Sequence, residues 1–161
     1  MALSEIKLLG DPVLYQECAR VEKEELAGLQ DTIDQMARLV LEFRERYGAG
    51  RAIAAPQVGV LKRIIVMNID EPIAIINPEV VEKSEEMMEL WDDCMSFPNL
   101  LVRLKRHHKI TMKFRDVNWQ EQLWELEGDL SELMQHEYDH LDGILATMRA
   151  IDEASFKWRV S

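Results

Sequence analysis

The chain has 161 residues, 18.8 kDa and 47% hydrophobic residues, enough for one well-buried core and short for two. Its 19 basic and 30 acidic side chains leave a formal charge of −11, which argues against a general nucleic-acid binder, because neutralising phosphates needs clustered Lys and Arg. No apolar run reaches the roughly eighteen residues a bilayer span needs, and the start, Met1-Ala2-Leu3-Ser4-Glu5-Ile6-Lys7, has no apolar signal-peptide core, so a soluble cytoplasmic protein without a membrane partner is expected.

Cys18 sits in an ordinary context and reads as a packed thiol, since Cys18 and Cys94 can form at most one bridge and a reducing compartment favours packing or metal binding. Between about 22 and 47, Leu26, Leu29, Ile33, Met36, Val40 and Phe43 recur at three- and four-residue steps, the period of one long amphipathic helix whose stripe is core. Gly48-Ala49-Gly50 ends it. The small-residue segment Arg51 to Val60, with Pro56 and Gly59, reads as extended chain passing close to a site. Residues 63–67, 73–76, 110–114 and 122–126 are β-branched or alternating and predict strands. The one basic stretch, Lys105-Arg106-His107-His108-Lys109, reads as a solvated strand edge rather than a phosphate track.

A second helix is predicted over 130–142, with Asp129 as N-cap, Glu132 completing a capping box, and Gly143 at the C′ position. Leu130, Leu133, Met134, Glu137 and Leu141 share its inward stripe. Helices and short strands without repeating strand–helix alternation point to an α+β fold. We find no repeat, low-complexity tract or linker, so residues 1–161 are expected to form a single domain.

On that helix His136-Glu137-Tyr138-Asp139-His140 sets two imidazoles four residues apart on one face, roughly 6 Å between side chains, close enough to converge on one ion. Glu137 between them is then available to take a proton from water on the metal. A chance His-Glu-x-x-His in a chain of this composition has a probability of roughly one per cent. A hydrolytic site usually has three protein ligands. Ala146 stands where a third downstream His would fall, and Glu153 is near the chain end. Upstream, Cys94 lies in the irregular Asp92-Asp93-Cys94-Met95-Ser96-Phe97-Pro98, a stretch suited to presenting a thiolate.

Three segments together resemble the peptide deformylase family. Gly50-Arg51-Ala52-Ile53-Ala54-Ala55-Pro56-Gln57 is similar to its Gly-x-Gly-x-Ala-Ala-x-Gln motif, and Asp92-Asp93-Cys94-Met95-Ser96 to its Glu-Gly-Cys-Leu-Ser. Gln135-His136-Glu137-Tyr138-Asp139-His140-Leu141 resembles its third motif. The likeness runs from the Gly10-Asp11-Pro12-Val13-Leu14 opening to about residue 150. It implies small antiparallel β-sheets packed around a central helix carrying the His-Glu-x-x-His motif, after a long N-terminal amphipathic helix. It also implies one divalent metal on Cys94, His136 and His140, Fe(II) natively with Zn, Ni or Co accepted, and a thiolate with two imidazoles suits such borderline ions. Glu137 would be the general acid and base, with the Gln57 amide and the Met95 backbone N–H stabilising an oxyanion. Gly50, Arg51, Ala52 and Ile53 would pair with substrate backbone. Leu133, Met134, Trp91 and Phe97 are candidates for a methionine-sized pocket, each equally comfortable as core.

The implied substrate is an N-formylmethionyl peptide. The pattern departs from the family at Ala52, Asp92 and Asp93. Asp93 would have to tolerate a positive φ if the family glycine supplies one, and would add negative charge beside the thiolate. Asp92 would pair with Arg106. Arg51 reads either as solvent-exposed or as a clamp for a substrate carboxylate, which would favour free N-formylmethionine or another small formamide. The short tail after residue 150 leaves docking on a ribosome in question. A noncatalytic deformylase-like binding protein and a general endopeptidase are the competing readings.

Overall fold

The computed structural model describes residues 1–160 as an α+β fold with antiparallel sheets. Helix α1 (Leu26–Tyr47) buries Leu26, Ile33, Met36, Ala37, Leu39, Val40 and Phe43. It begins later than the periodicity suggests. Lys23–Glu25 instead form a 3-10 turn, in which the Glu22 N–H donates to the Glu25 carboxylate at 2.7 Å. Gly48 closes the helix in the left-handed conformation at φ 71°, its N–H donating to Arg44 O.

Five strands form one sheet in the order β1 (Ala52–Ala54), β2 (Ile64–Asn68), β3 (Pro72–Lys83), β6 (Lys109–Arg115), β7 (Glu121–Glu127), every neighbour antiparallel. β4 (Met87–Asp92), β5 (Leu100–His107) and β8 (Phe156–Trp158) form a second sheet. Helix α2 (Asp129–Leu141) follows β7 directly. β2 explains the arrangement of layers. Strand alternation sends Ile64 and Val66 into a cluster with Ile33, Met36 and Val40 of α1, and Ile65 and Met67 into one with Leu133, Met134 and Leu141 of α2. A strand covered on both faces has no polar side, so β2 reads as a continuous apolar run. Each large side chain buried this way stabilises the fold by roughly 1.5–3 kcal/mol. A third cluster, with Leu14, Phe97, Val102, Leu104 and Leu145, packs around the second sheet.

Several expectations are corrected. Asp129 is the first residue of α2, and its N-cap is Gly128 at φ 61° with no side-chain cap bond. The Glu132 carboxylate turns away to Arg51, so no capping box forms. Leu130 is 38% exposed and lies off the buried stripe. Within the basic stretch, Lys105 is exposed, but Arg106 is 3% exposed and points inward. Strands β4 and β8 were not foreseen, and β5 only as the strand edge at its basic end: Val102 and Leu104 alternate with Arg103 and Lys105, but the inward Arg106 interrupts the apolar pattern, and β8 is only three residues long. Among the described residues no helix is long and apolar enough to cross a membrane.

Candidate metal centre

Helix α2 stacks His136 and His140 one turn apart, ring centroids 5.0 Å from each other. The connection between β4 and β5 carries Cys94, whose Sγ lies 3.3 Å from His140 Nε2. The sulfur and one nitrogen of each ring all fall within 4.8 Å of one another, and all three residues are buried. A tetrahedral ion bonded at about 2.0–2.3 Å to nitrogen and sulfur sets its donors roughly 3.3–3.7 Å apart, the separation at which the Cys94 sulfur and His140 Nε2 already stand. The donor set fits a borderline ion such as Zn, Fe(II), Co or Ni and not Mg or Ca.

The orientation of His136 is set from behind. Its Nδ1 meets Asp92 Oδ2 at 2.9 Å, which leaves Nε2 for the cluster. The same carboxylate oxygen accepts from Arg106 Nη2 at 3.0 Å, and Arg106 Nη1 donates to Asp139 Oδ2 at 2.7 Å. Arg149 holds Asp139 from the other side with Nε at 2.6 Å and Nη2 at 2.9 Å. Burial pushes the Asp92 carboxyl up, but the neighbouring His136 and Arg106 outweigh it and bring it down to about 2. Without a cation, burial works against a charge on His136, yet Asp92 and the Cys94 sulfur together hold its pKa well above the ordinary value. Burial and the His136 charge depress His140.

Glu137 is 4% exposed, with Oε1 3.9 Å from His136 Nε2 and Oε2 without a hydrogen-bond partner among the described residues. Burial raises its carboxyl to about 7, against the opposing pull of His136. A dication nearby would draw it back down. Gln57 sits on a 3-10 turn (Ala55–Val58) directly after β1. Its Oε1 accepts the Ala54 N–H at 2.9 Å, which turns Nε2 toward Cys94 Sγ at 3.5 Å and Ser96 Oγ at 3.1 Å. The amide therefore presents its donor side to the thiol.

A cleft of about 340 Å³ opens onto these groups. Gly50, Arg51 and Ala52 form one wall, Glu132 and Leu133 another, with Asp93 and Met95 beside Cys94. At Gly50 φ is 122°, and an added Cβ would stand 3.0 Å from Phe43 Cδ1 and 3.1 Å from Met95 Cε, so both backbone and space demand glycine. Arg44 fixes this corner by donating to the carbonyls of Gly50 and Asn68. Ile53 is fully buried in the α1 core and does not line the cleft.

Some sequence candidates fall elsewhere. Of Leu133, Met134, Trp91 and Phe97, only Leu133 borders the cleft. Met134 is in the core under α2, and Phe97 packs with Leu14 and Val102. The Trp91 ring lies under the Lys157 ammonium at 4.0 Å. The Arg51 guanidinium is committed to Glu132 at 2.5 Å, with the Asp129 carbonyl at 3.4 Å. Asp93 has no positive φ, and its carboxylate is taken by Arg159 at 2.6 Å. Asp139, Arg149 and Ser96 were missed by sequence reasoning. Only the position of Asp139 inside the His pair, and that of Ser96 two residues after Cys94, offered any signal.

Residues 3–155 match the family model described as polypeptide deformylase. The peptide deformylase of Dictyoglomus thermophilum is 37% identical over 152 residues, 94% of this chain and 95% of that protein. The crystal structure of the peptide deformylase of Thermotoga maritima superposes with a TM-score of 0.83 at 34% identity, covering 91% of this chain and 97% of that one. A class I type b peptide deformylase from Acinetobacter baumannii with Met-Ala-Ser bound gives a TM-score of 0.81 at 28% identity, covering 89% and 96%. With motifs, fold and these relatives in agreement over nearly its whole length, this chain belongs to the polypeptide deformylase family.

Proposed function

We propose that residues 1–161 form a single-domain metal-dependent hydrolase that removes the formyl group from N-formylmethionyl peptides and releases formate. The observation that carries this reading is the convergence of Cys94, His136 and His140 beside the carboxylate of Glu137 on one cleft. An ion held by these three residues, Fe(II) natively with Zn, Ni or Co as substitutes, would polarise the formyl carbonyl and acidify a water. Glu137, buried beside the three ligands, accepts the proton of the attacking water and returns it to the nitrogen of the leaving amine. Negative charge developing on the carbonyl oxygen would meet the Gln57 Nε2–H, which the Ala54 N–H orients through Oε1, and the Met95 backbone N–H.

The main chain of Gly50, Arg51, Ala52 and Ile53 offers a strand to the extended peptide, since β1 pairs with β2 along one edge. Leu133 supports the first side chain. Engagement of Arg51 by Glu132 weighs against a free guanidinium selecting the carboxylate of free N-formylmethionine. We place the protein in the cytoplasm, where formylated chains are made, with no direct nucleic-acid partner.

The test is anaerobic purification with Fe(II), bound-metal analysis, and formate release from formyl-Met-Ala-Ser beside Glu137→Ala. The wild type should hold about one metal per chain and release formate. Glu137→Ala should retain the metal and lose roughly 10²–10⁴ in turnover. Metal without formate release would favour a binding protein, and casein cleavage a peptidase.

A further inference from the structure

The segment that presents Cys94 is short and has well-defined ends. β4 stops at Asp92 and β5 starts at Leu100, so residues 93–99 form the connection, and it carries the Cys94 sulfur, the Met95 N–H and the Ser96 hydroxyl. Its middle is tied down: Leu9 N–H donates to Ser96 O at 2.9 Å, and Phe97 N–H donates to Cys94 O at 3.1 Å. Its two ends are joined by one residue from the far end of the chain. Arg159 Nη2 donates to Asp93 Oδ2 at 2.6 Å, and the Arg159 backbone N–H donates to Asn99 O at 2.6 Å. Asp93 and Asn99 are the first and last residues of the connection.

Arg159 is delivered to this place by β8, which pairs with β5 at Leu100↔Trp158, Leu101↔Lys157 and Val102↔Phe156. Lys157 adds a contact over the Trp91 ring on β4, so the tail grips both strands that lead into and out of the connection. We infer that Arg159 is a positioning residue which staples the Asp93–Asn99 connection and thereby holds the Cys94 sulfur and the Met95 N–H in register with α2. This rests on the deformylase reading of the cleft, and it gives Asp93 a use that a glycine at this position has no side chain to supply. A thiolate and an oxyanion donor on one short connection must both be placed to a fraction of an ångström against two imidazoles and Glu137 on a separate element. Tying both ends of the connection to one guanidine-bearing residue limits their common drift.

The experiment uses the full-length chain loaded with Co(II), as wild type, Arg159→Ala, Arg159→Lys, Asp93→Gly and the Asp93→Gly/Arg159→Ala double variant. Three quantities are read: amide hydrogen exchange across 93–99, loss of the thiolate-to-Co(II) absorption to a chelator, and kcat and KM separately for formyl-Met-Ala-Ser. Arg159→Ala should speed exchange at 93–99 and cobalt release by about two- to fivefold, the scale of one half-exposed ion pair of good geometry. Exchange in α1 should not change. Its kcat should fall with KM little altered, Arg159→Lys should recover part of the loss, and Arg159→Ala should add little in the Asp93→Gly background. Unchanged exchange and cobalt release in Arg159→Ala, or an equal effect with and without Asp93, would overturn the inference. A wild type that binds cobalt yet releases no formate would remove the deformylase reading, while exchange and cobalt release would still judge Arg159.

Discussion

His136 Nδ1 stands 2.9 Å from Asp92 Oδ2, and both groups are buried, so the ring that faces Cys94 is aimed by a carboxylate it cannot exchange for water. Asp92→Ala should therefore weaken metal binding by roughly 10- to 100-fold while leaving the three ligands in place. Chelator competition measures it. Because the same substitution leaves Arg106 buried with one fewer partner, a fall in unfolding stability should accompany the loss of affinity.

Arg51 and Glu132 bridge the cleft from the edge strand to the catalytic helix. With its charge already engaged, Arg51 should contribute little to choosing a free carboxylate. The wild type should thus prefer formyl-Met-Ala-Ser to formyl-Met in kcat/KM, and Arg51→Ala should preserve that order. A reversed order that collapses in the variant would identify Arg51 as a carboxylate clamp after all.

Gly143 follows α2 at φ 74°, and a Cβ there would stand 2.7 Å from both the carbonyl carbon and the oxygen of Tyr15. Backbone cannot swing aside as a flexible side chain does. Gly143→Ala should cost about 1–3 kcal/mol in urea unfolding, combining the left-handed conformation with the collision. A cost below a few tenths would mean that the α2 terminus and the Tyr15 turn part freely.

Cys18 reports on packing through pH. Burial pushes its thiol from 9.0 to about 11, while Arg63 opposes the shift. Below pH 9 the folded and unfolded chains both hold the proton, and the group has no effect on the balance. Between 9 and about 11 the unfolded chain releases it first, so this contribution to stability declines as pH rises through that window. Subtracting the stability profile of Cys18→Ala from that of the wild type isolates the effect, and identical slopes would contradict it. Alkylation of Cys18 in the folded protein should be slow at pH 8 for the same reason.

What the sequence makes legible follows from how far each interaction reaches along the chain. The spacing of Ile33, Met36, Val40 and Phe43 is visible because one face of α1 alone meets the sheet. The apolar run of β2 is visible for the opposite reason, both faces being covered. Glu132 misled because a capping box is a local pattern, whereas its partner Arg51 lies 81 residues earlier. Arg106 was legible in part: the basic cluster reads as solvated, yet the family resemblance pointed to its pairing with Asp92, which is present at 3.0 Å, while the second partner Asp139 left no trace in the sequence. The convergence of Cys94 with His140 spans 46 residues, yet the motif order pointed to it, since metal ligands leave a signature of residue types that salt bridges do not. The tail of the site, Arg159 on Asp93, had no such signature.

Helix α2 buries Ser131, Glu132, Leu133, Met134, His136, Glu137, Asp139, His140 and Leu141 out of its 13 residues. Almost no side of it is left as ordinary surface. Adding or deleting a single residue within it would rotate everything beyond by about 100°, exchanging aliphatic anchors for ionisable groups on every flank at once. Chemistry and folding are thus written in the same short run of letters, and drift in this lineage should accumulate in the sheet margins while this helix changes only by substitution.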